Sequence, residues 1–144
     1  FPGGKEELAV EAVRAAGSGI CAGITAILDS ADDVGEGVAR VIEFLAEDLE
    51  RSGYRGGCPI AAVTLDAAGA SEPVREACAA SFETWQDAIA ARLRRAGWSA
   101  AAARDEAAVT LSAFEGGLVV SRARRDTEPL RALARRMRGL AAPA

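Results

Sequence analysis

The sequence predicts an all-α protein, a bundle of about six helices, on three observations. Apolar residues recur every three or four positions through most of the chain. No segment alternates apolar and polar residues over a strand's length, and no internal repeat is present. Residues that start and stop helices (Ser, Thr and Asp at starts, Gly at ends, Pro in first turns) fall between the periodic stretches.

Leu8, Ala12, Ala16, Ile20, Ile24 and Ile27 share one face and predict a long first helix over residues 4–29. Gly17 and Gly19 lie inside it. Each costs about 1 kcal/mol relative to alanine in a helix, so a kink or a close helix contact is expected there. Asp32 or Asp33 caps a second helix with a buried face of Val34, Val38, Val41, Leu45 and Leu49, Phe44 beside it, and Gly53 at its end. Residues 53–59 form a loop, and Pro59 suits the first turn of a short helix through Ile60, Val63 and Leu65 to Gly69. Ser71 caps a long helix to about Arg95, with Val74, Cys78, Phe82, Trp85, Ile89 and Leu93 as its stripe and Gly97 as its stop. Ser99 caps a fifth helix to about Ala123, with Ala107, Leu111, Phe114 and Leu118 inward. Thr127 or Asp126 caps the last, with Pro129 in its first turn. There Leu130, Leu133, Met137 and Leu140 form a two-heptad seam suited to a partner helix.

The 144 residues suffice for one domain with its own core. Half are hydrophobic and evenly spread, which predicts neither a membrane span nor a signal peptide. Cys21, Cys58 and Cys78 are odd in number and far apart, as expected of reduced thiols in a cytoplasmic protein. There is no histidine, which removes the commonest general base and metal ligand, and with them the Glu-x-x-His pairs of a diiron bundle. No acid, base and nucleophile set converges, so no catalytic residue, metal or cofactor is assigned. The net charge of −4 argues against nucleic-acid binding by this chain alone. The charge is uneven, acidic from Asp29 to Glu50 and basic from Arg122 to Arg138, and both stretches read as solvated helix faces.

The opening Phe1-Pro2-Gly3-Gly4-Lys5-Glu6-Glu7-Leu8 starts a helix from a turn with no helix before it. It resembles the joint between the DNA-reading helix-turn-helix and the long connecting helix in TetR-family transcriptional regulators, in the LmrA/YxaF-like subgroup. Further blocks resemble that subgroup in order: Gly57-Cys58-Pro59-Ile60-Ala61, Ser71-Glu72-Pro73-Val74-Arg75 with Phe82 and Trp85, Glu115-Gly116-Gly117-Leu118, Ser121-Arg122-Ala123 with Arg125-Asp126, and Pro129-Leu130. The resemblance implies a regulator whose amino-terminal helix-turn-helix binds operator DNA as a homodimer. Its carboxy-terminal helical domain would bind a small effector and dimerise. Residues 1–8 would then be the joint to the missing amino-terminal domain, and residues 9–144 the ligand-binding and dimerisation domain.

Regulators of this kind need a concave, mostly apolar cavity with a few polar groups. Ile20, Ile24, Phe44, Ile60, Val63, Phe82, Trp85, Ile89 and Phe114 are placed around it, with Thr110 and Thr64 as polar contacts for a small hydrophobic effector. The Trp85 indole N–H would orient the ligand. Each of these residues also reads as ordinary core. Gly116, Gly117 and Leu118, with the seam of Leu130, Leu133, Met137 and Leu140, are assigned to a homodimer interface; an internal helix contact is the plainer reading. Cys58 would need a cationic, partly exposed site to act as a sensor thiol, and the turn pattern explains it without reactivity. The alternative function is a free-standing helical ligand-binding or interaction domain with no DNA role. A helix-turn-helix encoded upstream of Phe1 favours the regulator; a start codon there sinks it.

Overall fold

A computed structural model describes residues 2–144; Phe1, the first residue of the resembling joint, lies outside the described residues. Among them the chain forms six α-helices and no strand: α1 (Gly4–Asp29), α2 (Val34–Arg51), α3 (Pro59–Asp66), α4 (Glu72–Arg95), α5 (Ala100–Arg124) and α6 (Glu128–Arg138). Local chemistry accounts for the starts. The Asp33, Cys58, Ser71 and Ser99 side chains accept hydrogen bonds from the N–H groups of Glu36, Ala61, Val74 and Ala102, respectively. Gly97 ends α4 with a positive φ of 96°. At α6 the hydroxyl of Thr127 is taken by Glu50 Oε1 at 2.6 Å, so Asp126 Oδ1 receives the Glu128 N–H instead, at 2.9 Å.

The most extensive contacts pair α1 with α4, α2 with α6 and α4 with α5, and α3 lies against α4 and α1. By length and composition alone, α1 is long and apolar enough to cross a membrane. Here it is a packed helix of the bundle. Its buried face is Val10, Val13, Gly17, Ile24 and Leu28. The expected stripe is therefore rotated: Leu8 and Ala12 are exposed, while Ala16, Ile20 and Ile27 are half-buried. Gly17 sets the rotation. A Cβ there would collide with the Ser81 hydroxyl and stand 2.8 Å from Ser81 Cβ on α4. The absent side chain lets the two backbones approach, and Trp85 Nε1 donates to the Gly17 carbonyl at 2.8 Å. Arg92, buried on α4, donates to the carbonyls of Ala31 and Asp32 and so ties the α1–α2 turn down.

The acidic and basic stretches are not simply solvated. Glu36, Glu43 and Glu50 recur every seven residues on α2 and face Arg138 and Arg131, seven apart on an antiparallel α6. Arg138 bridges Glu36 and Glu43, and Arg131 pairs with Glu50. These pairs are exposed and open to salt screening, so they set register more than stability.

That packing also covers most of the seam expected between subunits. Leu130, Ala134 and Met137 are buried within the chain, and Leu133 and Leu140 are half-buried against its core. A Cβ on Gly117 would lie 2.8 Å from Leu130 Cδ2, so this glycine admits α6 onto α5 of the same chain. Leu118 is buried as well. Of the residues assigned to an interface, Gly116 alone is exposed, with nothing within 4 Å of a Cβ built on it. Val119 and Val120 beside it are exposed apolar residues. Periodicity identifies an apolar seam but not whose helix covers it.

Candidate ligand pocket

A cavity of about 590 Å³ opens between the second half of α1, the middle of α2, the loop entering α3, and the facing parts of α4 and α5. Its existence follows from the sequence of α1. Gly19 and Gly23 are one turn apart and line the space, and a Cβ on either would touch nothing within 4 Å. Ile20, Ile24 and Ile27 flank them and supply the apolar wall. From α2 come Val41, Phe44, Leu45 and Asp48; from the loop, Gly57 and Cys58; from the start of α3, Pro59; from α4, Trp85; from α5, Phe114, Glu115 and Leu118.

Of the residues expected around a pocket, Ile20, Ile24, Phe44, Trp85 and Phe114 line it. The others do not. Ile60 is wholly buried in the core, and Val63 packs against it half-buried. Phe82 sits edge-on to Trp85, ring centroids 5.3 Å apart, and is a buttress rather than a lining residue. Ile89 and Thr110 line a separate close-packed seam with no room for a water molecule. The expected polar contacts are already used: the Thr110 hydroxyl meets Glu106 Oε1 at 3.3 Å, and the Thr64 hydroxyl meets the Ile60 carbonyl at 2.8 Å. The Trp85 indole N–H is likewise spent on Gly17, so Trp85 offers a ring and not a donor. Phe44 is 48% exposed at the rim, with the Arg51 guanidinium 5.8 Å from its ring centroid.

The polar character comes from residues that periodicity did not single out. Asp48 and Glu115 are the charged residues of the lining, both acids. Glu115 is half-buried as a residue, yet both carboxyl oxygens are shut off from solvent and have no hydrogen-bond partner. Burial raises its carboxyl pKa above the usual range, and the adjacent Cys58 thiol offsets only part of that. The Cys58 thiol is itself pushed up to about 12, by burial first and by the Glu115 charge second. Its sulfur caps α3, accepting the Ala61 N–H at 3.4 Å. A thiol in that state is protonated at neutral pH and a poor nucleophile. One signal for Glu115 was visible: it interrupts the apolar arc of Leu111, Phe114 and Leu118 on α5.

An all-helical bundle with an apolar cavity beside its longest helix matches the helical domain that the sequence blocks implied. Residues 35–136 match the family described as "Transcriptional regulator LmrA/YxaF-like, C-terminal domain". The chain belongs to this family of TetR-type transcriptional regulators. It is 31% identical over 136 residues to the HTH-type transcriptional regulator LmrA of Bacillus subtilis (strain 168), a match covering 90% of this chain and 69% of LmrA. It is 33% identical over 145 residues to the uncharacterized HTH-type transcriptional regulator Rv0196 of Mycobacterium tuberculosis (strain ATCC 25618 / H37Rv), covering 97% of this chain and 73% of that protein. The uncharacterized HTH-type transcriptional regulator YxaF of Bacillus subtilis (strain 168) is 31% identical over 130 residues, 90% of this chain and 68% of YxaF.

Proposed function

We propose that this regulator is a ligand-responsive repressor and that the 590 Å³ cavity is its effector site. The single observation that carries the reading is that cavity, largely apolar and large enough for a drug-sized molecule, standing against α1. In this reading residues 1–8, which include the start of α1, are the joint to a DNA-reading helix-turn-helix, so any change in the pose of α1 reaches the DNA contacts.

Gly17 is the fixed point of α1, held to α4 by the Trp85 bond and by the close approach to Ser81. The cavity touches only the stretch beyond it, Gly19 to Ile27. A ligand wedged between that stretch and α2 therefore turns α1 about Gly17 and moves its amino-terminal end the opposite way. In a dimer reading two half-sites about 34–36 Å apart, such a movement mismatches the spacing. The ligand acts only through its differential affinity for the two poses. The second copy docks on the outward face of α5 at Gly116, Val119 and Val120, where the apolar surface is left uncovered by the chain's own helices.

The test is fluorescence anisotropy with labelled DNA from the regulator's own promoter region, comparing the intact gene product with residues 1–144 alone. The expected result is sequence-selective binding by the gene product, absent from residues 1–144. Salt-sensitive, sequence-selective binding by residues 1–144 would overturn the assignment of DNA reading to a separate half.

A further inference from the structure

Glu115 is a buried carboxyl with the Cys58 thiol beside it and no cation among its neighbours. Both of its oxygens are covered, neither has a hydrogen-bond partner, and the residue forms part of the cavity wall. An unpaired buried polar group costs free energy that folding alone does not return. It sits inside the apolar arc of α5, where leucine or methionine would pack without that cost. The second acid of the lining, Asp48, is exposed at the α2 edge of the same cavity. No lysine or arginine lines the cavity, and α1 and α4 contribute no titratable group to it. Both charged residues of the lining are thus acids, and Asp48 already pairs with the Arg51 guanidinium at 3.4 Å, which leaves Glu115 as the acid of the wall without a cation.

We propose that the effector is an apolar molecule bearing a cationic amine, and that Glu115 is the group that recognises its charge. This inference rests on the effector-site reading of the cavity. The ligand's apolar body lies against Ile20, Ile24, Phe44, Trp85 and Phe114. Its ammonium group draws the Glu115 carboxyl out of the wall by rotation of the side chain, gaining the hydrogen bonds that the empty pocket lacks. Asp48, held by Arg51 at 3.4 Å, leaves the recognition of the charge to Glu115. Apolar carboxylates find no cation in the lining to pair with and are rejected. Glu115 carries its proton more readily than an exposed glutamate because it is buried, and that proton leaves for solvent when the ion pair forms. The remaining titratable neighbour, the Cys58 thiol on the α3 side, stays protonated throughout and does not contribute to the pH response.

The test compares three probes of one shape, adamantylamine, adamantanol and adamantane carboxylate, by isothermal titration calorimetry on the wild type, Glu115→Gln and Asp48→Asn. The expected order is amine, then alcohol, then carboxylate, with roughly tenfold between successive members. Glu115→Gln should abolish the preference for amine over alcohol and leave the alcohol's affinity within about threefold. Amine affinity for the wild type should rise with pH above the ordinary carboxylate range as Glu115 loses its proton, with proton release seen as a buffer-dependent heat. That readout needs no variant to fold. Equal affinity for amine and alcohol, a preference that survives Glu115→Gln, or a flat pH profile would overturn the charge assignment and leave the pocket standing. If none of the three probes binds, the effector-site reading itself is wrong, and this inference falls with it.

Discussion

Two glycines two residues apart on α1 should respond to the same substitution with opposite signs. A Cβ at Gly17 would collide with the Ser81 hydroxyl and lie 2.8 Å from Ser81 Cβ, whereas at Gly19 it would meet nothing within 4 Å. Overpacking of a tight contact costs about 1–3 kcal/mol. Separating α1 from α4 to relieve it also weakens the Trp85–Gly17 hydrogen bond, worth about 1 kcal/mol. Against this, exchanging glycine for alanine in a helix gains about 1 kcal/mol. The net expectation for Gly17→Ala is a loss of about 1–3 kcal/mol, a fall in Tm of roughly 3–10 °C for a chain of this size. Gly19→Ala keeps only the helix term and should raise Tm by about 2–3 °C. Far-UV circular dichroism melts measure both, and adding Ser81→Gly to Gly17→Ala should restore part of the loss. A Gly17→Ala protein as stable as wild type, or a Gly19→Ala protein as impaired as Gly17→Ala, would refute the close approach of α1 and α4.

Glu115→Met should stabilise the unliganded protein by about 1–3 kcal/mol in urea denaturation, because it removes an unpaired buried carboxyl; a loss of stability would show that Glu115 has a structural partner. The carboxyls of Glu36, beside Arg40 and Arg138, and Glu50, beside the Thr127 hydroxyl and Arg131, sit below the usual range. A depressed folded pKa contributes stability present above the ordinary carboxylate range and lost as pH falls through the folded value, so Tm should drop on acidification below about pH 4.5. Glu115 has the opposite sign: its stability is full below the ordinary range and lost as pH rises through its raised value. Glu115→Gln should therefore remove a decline in Tm on the neutral side, and an unchanged profile would count against it. Val119→Asp should dissociate the dimer in sedimentation with its melt intact, whereas Leu133→Asp should lower the melt first because Leu133 packs against its own chain's core; the reverse pattern would restore the α6 seam as the interface.

The helices were legible because most of their starts are written in local chemistry. Asp33, Ser71 and Ser99 cap the helices that periodicity proposed, and Gly97 turns the chain where a left-handed residue was needed. What was not legible depended on pairs far apart in sequence. The rotation of α1 is dictated by Gly17 meeting Ser81, a contact that no reading of α1 alone supplies. The α6 seam carried the right apolar residues, yet α2 and α5 of the same chain cover it. Of the residues expected around a pocket, Ile20, Ile24, Phe44, Trp85 and Phe114 line the cavity because they flank the gap left by Gly19 and Gly23. Phe82, Ile89, Ile60, Val63 and Thr110 stand outside the lining, on inward faces that are filled. Periodicity says that a residue points inward, not whether anything is there to meet it. Glu115 broke the apolar pattern of α5, and that break was the available clue to the polar part of the site.

The cavity as effector site is tested most directly by filling it. Gly23 lines the space with nothing within 4 Å of a built Cβ, so a leucine side chain enters the void without displacing the wall. Of the two tryptophans, Trp85 lines the cavity, so Trp98→Phe leaves its emission as the sole tryptophan signal. Adamantylamine should change that emission saturably in Trp98→Phe. The response should vanish in Trp98→Phe/Gly23→Leu, whose melting temperature stays at or above that of Trp98→Phe. A saturable response undiminished by Gly23→Leu, or none in Trp98→Phe at all, would contradict the account.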